Sequence, residues 1–305
     1  MADDAGQGLP RTLAQRMDAW ERLVRLDKPI GILLLLWPTL TALWIAAGGA
    51  PPLSLVLIFT LGTVLMRSAG CAFNDWADLR YDAHVARTRG RPLVTGEVSP
   101  REALAVGAAL AAAAFVLVLF TNRTTLLLSF AALAITVAYP FFKRFFALPQ
   151  AFLGIAFSFG IPMAFAAVNG KVEPLGWWML LINLPWVVAY DTEYAMVDRD
   201  DDLRIGMRTS AITFGRFDVL AVALCYAAFI AGMLWVGRVM SLGPIYHLGL
   251  LAAVGCAAWH LWLIRGRERD RCFHAFLHNH WLGLVVFAGT VADYAVRAGA
   301  WPRQI

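Results

Sequence analysis

Charge is scarce in this chain. Asp, Glu, Lys and Arg together make up 15% of its 305 residues, where a soluble domain carries about 25%. That shortfall, with 60% hydrophobic residues and 12 Trp, excludes an ordinary soluble domain and indicates an integral membrane protein. Cysteine is sparse too: Cys71, Cys225, Cys256 and Cys272 have no metal-ligand spacing and suit small buried hydrophobes. A secretory signal is not expected, because residues 1–29 are polar and include Asp3, Asp4, Asp18, Glu21 and Asp27. The same acids argue against a transit peptide, which is acid-poor. The net charge of +5 is spread over several connections and is not gathered into one patch. Nucleic acid is therefore not an expected partner, whereas membrane lipids with anionic headgroups are.

Apolar runs are abundant. A helical span needs about 17–25 such residues, and candidates lie at 30–47, 54–73, 102–120, 125–142, 149–168, 177–197, 216–237, 245–264 and 281–299. The expectation is an all-α membrane protein of about nine transmembrane helices. Residues 1–24 form a polar N-terminal segment and 25–305 a single membrane domain. Basic residues crowd one set of connections, among them Arg11 to Lys28, Arg80 to Arg101, Lys143, Arg144, Arg199 to Arg216 and Arg265 to Arg271. The other side holds Arg123, Lys171, Arg238, Arg297 and Arg303. The positive-inside rule then places the N-terminus in the cytoplasm and, for an odd helix count, the C-terminus outside.

Two acidic clusters end apolar segments on that cytoplasmic side. The first reads Asn74-Asp75-Trp76-Ala77-Asp78-Leu79-Arg80-Tyr81-Asp82; the second runs from Asp191 to Asp202. Helical residues three, four and seven apart share a face, so Asn74, Asp78 and Asp82 form one stripe and Asp191, Asp198 and Asp202 another. Ionisable groups at a membrane boundary are costly and point to function. Mg²⁺ takes oxygen ligands, commonly one or two carboxylates completed by phosphates and water. Two such clusters suit Mg²⁺ ions that clamp a diphosphate leaving group; the alternative is solvated loop charges paired with nearby arginines. Arg87 and Arg91 follow the first cluster, while Lys143 and Arg144 end the fourth helix on the same side. Arg67 lies seven residues before Asn74 and deeper in the same helix, where a guanidinium needs an anion. That anion is either a carboxylate of a second substrate or an acid of one of the clusters. His274, His278 and His280 have spacing that could hold a transition metal, but among neighbouring arginines they suit a solvated cytoplasmic connection. A divalent cation transporter is the competing function from another class, weakened because both clusters sit at one face.

The stretch NDWADLRYDAHVARTRGRPLVTG from Asn74 to Gly96 resembles the first signature of the UbiA superfamily of intramembrane aromatic prenyltransferases, and YDTEYAMVDRDDDLRIG from Tyr190 to Gly206 resembles the second. RLDKPIGILLLLWPT from Arg25 to Thr39 is similar to the start of the family's first helix, and Tyr139 to Arg144 to the end of its fourth. Trp76 departs from the pattern, where Tyr is more usual. The resemblance implies nine helices around a central cavity and Mg²⁺-dependent transfer of a polyprenyl chain to an aromatic ring. It further implies Asn74, Asp78 and Asp82 as ligands of one Mg²⁺, Asp198 and Asp202 of the other, with Asp75 and Asp191 in support. Arg87, Arg91, Lys143 and Arg144, with Tyr139 nearby, would hold the polyprenyl diphosphate. His84 to Thr88 and Arg91 to Leu93 are most like the branch acting on 4-hydroxybenzoate in ubiquinone biosynthesis, whose carboxylate Arg67, with Arg25 as a further candidate, would face. The proton leaving the ring would pass to a carboxylate such as Asp191. Sister branches acting on homogentisate, dihydroxynaphthoate or haem are the near alternatives, and a bacterial inner membrane is the expected location.

Overall fold

The computed structural model describes residues 12–142 and 146–300, and within them the chain is helical with no strand. In order the helices are α1 (Leu13–Leu23), α2 (Ile30–Ala46), α3 (Leu53–Asp82), α4 (Pro100–Val118), α5 (Arg123–Phe142), α6 (Pro149–Ser158), α7 (Gly160–Asn169), α8 (Pro174–Ile205), α9 (Ser210–Phe214), α10 (Asp218–Val239), α11 (Pro244–Ile264) and α12 (Arg269–Ala300). Among the described residues seven stretches are long and apolar enough to cross a membrane, α6 with α7 counting as one. By this measure the expected nine is not reached: α2 has only 17 residues, and α8 is 32 residues long with a charged C-terminal part.

Local chemistry sets several boundaries. Thr12 and Gln15 form a reciprocal capping box at the start of α1. Ser99 accepts from the Glu102 backbone N–H with Pro100 in the first turn of α4. α8 stops at Gly206, whose φ of 72° favours glycine. α1 is not a span. Its Ala19 and Leu23 pack with Ala72, Leu93, Val98 and Ala103, which docks α1 against α3, α4 and the loop between them.

The core between α2, α8, α10, α11 and α12 is largely apolar and holds a buried polar chain. The Tyr226 hydroxyl lies 2.9 Å from Glu193 Oε1, 2.9 Å from His260 Nδ1 and 3.0 Å from Asn279 Oδ1. Asn279 Nδ2 donates to Glu193 Oε2 at 2.8 Å, and Trp186 Nε1 donates to Asn279 Oδ1 at 2.9 Å. His260 Nε2 lies 2.9 Å from His278 Nδ1. A buried carboxylate is tolerated because each oxygen has a partner. One sequence expectation is corrected here. The histidines of 274–280 lie on α12 and not in a loop, since His278 is drawn into the helix bundle by His260. Glu193, which the sequence did not single out, is a second ionisable group held inside the bundle.

Candidate active site

Two long helices build the site. α3 has 30 residues and α8 has 32, about 45–48 Å at 1.5 Å per residue, which exceeds a hydrocarbon core of about 30 Å. Their C-terminal turns therefore emerge into the interface, and those turns carry the two acidic clusters. A helix C-terminus is the negative end of its macrodipole, so carboxylates gathered there repel both one another and the helix. Cations must offset that repulsion.

Arginines from outside both helices do so. Arg25, in a left-handed turn after α1 (φ 60°), donates from Nη2 to both oxygens of Asp75, at 2.9 and 2.8 Å. Arg91 Nη1 lies 2.9 Å from Asp75 Oδ1 and 2.5 Å from Asp82 Oδ2. Arg87 crosses to the other cluster, with Nε 3.1 and 3.0 Å from the oxygens of Asp198 and Nη2 at 2.5 Å. Its guanidinium stacks 4.3 Å from the Tyr194 ring centroid. Burial works against charge on Arg87, but Tyr194, Asp198 and Asp82 outweigh it and hold its pKa above that of an ordinary arginine. The loop that carries these arginines is pinned by Thr88, whose hydroxyl donates to the Asp82 carbonyl at 2.7 Å.

Beneath this charged layer lies a cavity of about 560 Å³. Its mouth takes in Arg25, Asn74, Asp75, Arg87, Arg91, Tyr139, Asp191 and Tyr194, and its depth is walled by apolar residues such as Leu34, Phe59, Met66 and Leu153. From Ile58 to Asn74 the lined stretch of α3 measures about 24 Å at 1.5 Å per residue. The cavity is thus a deep apolar channel with a polar mouth. Asp78, Asp82, Asp198 and Asp202 are buried beside the mouth, and the cavity wall does not include them. Lys143 and Arg144 lie outside the described residues. Among the described residues no three acidic, histidine or cysteine side chains converge closely enough to hold a metal ion by themselves. The donor set nevertheless fits Mg²⁺: hard carboxylate oxygens gather around a mouth open to phosphate and water, which complete the shell of that ion.

Arg67 sits deeper on the same wall. Its Nη1 donates to Cys71 Sγ, its guanidinium lies 5.8 Å from the Phe157 ring centroid, and its buried Nε has no hydrogen-bond partner. No ion pair with an acid of either cluster forms among the described residues; the cation faces the cavity instead. Sequence reasoning missed Tyr194, although it stands four residues after Tyr190 and shares its face.

The chain matches the UbiA prenyltransferase family over residues 35–283. It is 62% identical over 285 residues to a 4-hydroxybenzoate octaprenyltransferase of Cupriavidus necator, covering 93% of this chain and 100% of that protein. With its counterpart in Nitrosospira multiformis it shares 61% identity over 289 residues, 95% of this chain and 100% of that one. The apo structure of a UbiA homolog from Aeropyrum pernix superposes with a TM-score of 0.76 at 28% identity, over 86% of this chain and 97% of that one. A UbiA homolog from Archaeoglobus fulgidus bound to GPP and Mg²⁺ shares the fold, with a TM-score of 0.68 at 18% identity over 91% and 99% of the two chains.

Proposed function

This chain belongs to the UbiA prenyltransferase family, and from that premise we infer that it transfers a polyprenyl group from polyprenyl diphosphate to 4-hydroxybenzoate. The observation that carries the reading is the cavity: cations and carboxylates at its mouth, a long apolar bore below, and Arg67 between them. An apolar bore suits an isoprenoid chain and offers nothing to a hydrated cation in transit. The reaction is the step that joins tail to ring in ubiquinone biosynthesis.

In this reading Arg87 and Arg91 leave their carboxylate partners in part and bind the diphosphate, for which guanidinium forks are well shaped. Asn74, Asp75, Asp78 and Asp82 on α3 and Asp198 and Asp202 on α8 would hold Mg²⁺, which supplies charge neutralisation of the leaving diphosphate. The allylic C–O bond breaks with its electron pair going to the diphosphate. The acceptor ring carbon ortho to the phenol forms the new C–C bond, and the ring proton passes to a carboxylate at the mouth, such as Asp191. The apolar walls keep water from the allylic cation. Arg67 pairs with the acceptor carboxylate, and Tyr139 lines the space between the two substrates. A multi-pass protein of a bacterial inner membrane, with this mouth on the cytoplasmic face, accords with the distribution of basic residues.

Arg67→Met tests the acceptor assignment. It should raise KM for 4-hydroxybenzoate by about tenfold to a hundredfold, the worth of a charge-assisted hydrogen-bonded pair, and leave KM for geranyl diphosphate unchanged in steady-state assays. An equal rise in both constants would contradict it.

A further inference from the structure

Tyr194 stands four residues before Asp198 on α8, so the two share a helix face. Arg87, from the loop after α3, lies along that face and touches both. Its Nε–Nη2 edge meets the Asp198 carboxylate, and its guanidinium carbon lies 4.3 Å from the centroid of the Tyr194 ring. Nη1 has no hydrogen-bond partner among the described residues, and Arg87 lines the cavity mouth. The guanidinium is thus held at one edge and one face, with its third nitrogen left for a ligand.

The ring has its own support. Phe276 of α12 stacks on Tyr194 with centroids 4.4 Å apart and planes 26° from parallel. One face of a ring cannot take both neighbours at that range, so Tyr194 is sandwiched between Phe276 and Arg87. Phe273, one turn earlier on α12, stacks beside them, 6.2 Å from Phe276 and 6.3 Å from Tyr194. These contacts leave the Tyr194 ring little freedom to turn. Tyr194 and both phenylalanines line the same cavity.

The two grips on Arg87 differ in kind. Asp198 also helps hold Mg²⁺ in the inferred reaction, and a carboxylate that faces a divalent cation attracts a guanidinium less strongly. The ring holds Arg87 through its quadrupole, which binds no Mg²⁺ here and so persists when metal and donor are in place. We propose that Tyr194 is a positioning residue for the donor: braced against α12, it keeps Arg87 aimed at the diphosphate while Asp198 serves the metal. This rests on the reading in which Arg87 binds the diphosphate.

The test uses the full chain in detergent with 4-hydroxybenzoate, geranyl diphosphate and Mg²⁺. Tyr194→Leu should raise KM for geranyl diphosphate by about threefold to thirtyfold, the worth of a cation–π contact at a partly buried site. KM for 4-hydroxybenzoate should stay within about twofold. Tyr194→Phe keeps the ring face and should bring the donor KM back to within about twofold of the parent value. In an Arg87→Ala background Tyr194→Leu should add no further rise in donor KM. A tyrosine that touched the donor itself, or only filled space, would add its full loss there. Leucine is a good helix former, and the melting temperature of each variant checks folding independently. An unchanged donor KM in Tyr194→Leu, an equal rise in both constants, equal losses in both backgrounds, or no recovery in Tyr194→Phe would overturn the proposal. If Arg87→Ala raises the donor KM but Tyr194→Leu does not, the role of the ring fails alone; if neither does, the assignment of Arg87 to the diphosphate fails with it.

Discussion

Asp78→Ala should cut prenyl transfer by at least about 10²–10³-fold, the usual scale for losing one element of an electrostatic clamp on a leaving group. Asp78 sits between Asp75 and Asp82 on the last turns of α3 and is only 4% exposed. Its carboxylate serves the mouth through the ion it is proposed to help hold, since the cavity wall itself does not include it. Alanine keeps the helix and removes one negative charge from a helix end already crowded with them. The protein should therefore remain folded, with an unchanged melting temperature in EDTA, while initial rates at saturating Mg²⁺ collapse. Full activity in this variant would remove Asp78 from the clamp.

Arg91→Ala should fail in two ways at once. Arg91 bridges Asp75 and Asp82, at 2.9 and 2.5 Å, and all three side chains are at most 14% exposed. Removing one partner of a buried ion pair commonly costs about 3–5 kcal/mol. Arg25 still holds Asp75, so the lower end of that range is expected. In EDTA the variant should melt below the parent protein. Added Mg²⁺ should narrow the gap, because an ion bound by the carboxylates that Arg91 leaves behind stabilises the folded state by mass action. The second effect is on the donor: KM for geranyl diphosphate should rise while KM for 4-hydroxybenzoate changes little. Parent and variant shifted equally by Mg²⁺, or an unchanged donor KM, would contradict the role given to Arg91.

The sequence made the helices and the carboxylate stripes legible because both depend on short-range regularity. Apolar runs of span length coincide with α3, α4, α5, α10 and α11, and spacings of three, four and seven put the acids of each cluster on one helix. What stayed hidden depends on contacts between distant residues. The pairing of Arg25 with Asp75 spans 50 residues and that of Arg87 with Asp198 spans 111; no local pattern specifies either. The break between α6 and α7 falls inside a continuous apolar run, where Gly160 lets Thr39 of α2 approach so closely that a Cβ would meet its Oγ1 at 2.5 Å. α12 begins at Arg269, earlier than the apolar run suggests, because its polar first turns are tied to the bundle through the half-buried His278 on His260 and the buried Asn279 on Glu193. Glu193 lay within a recognised motif yet points away from the cavity, and only the positions of Tyr226 and Asn279 explain it.

The central claim is a metal-dependent prenyl transfer to 4-hydroxybenzoate in one cavity. It is tested most directly by incubating the purified protein with 4-hydroxybenzoate and geranyl diphosphate, in Mg²⁺ and in EDTA, and identifying the product by mass spectrometry. The account predicts a benzoate carrying the prenyl group on the carbon ortho to the phenol, formed with Mg²⁺ and absent in EDTA. A folded protein that yields no such product with Mg²⁺, or one that yields it equally in EDTA, would contradict the account.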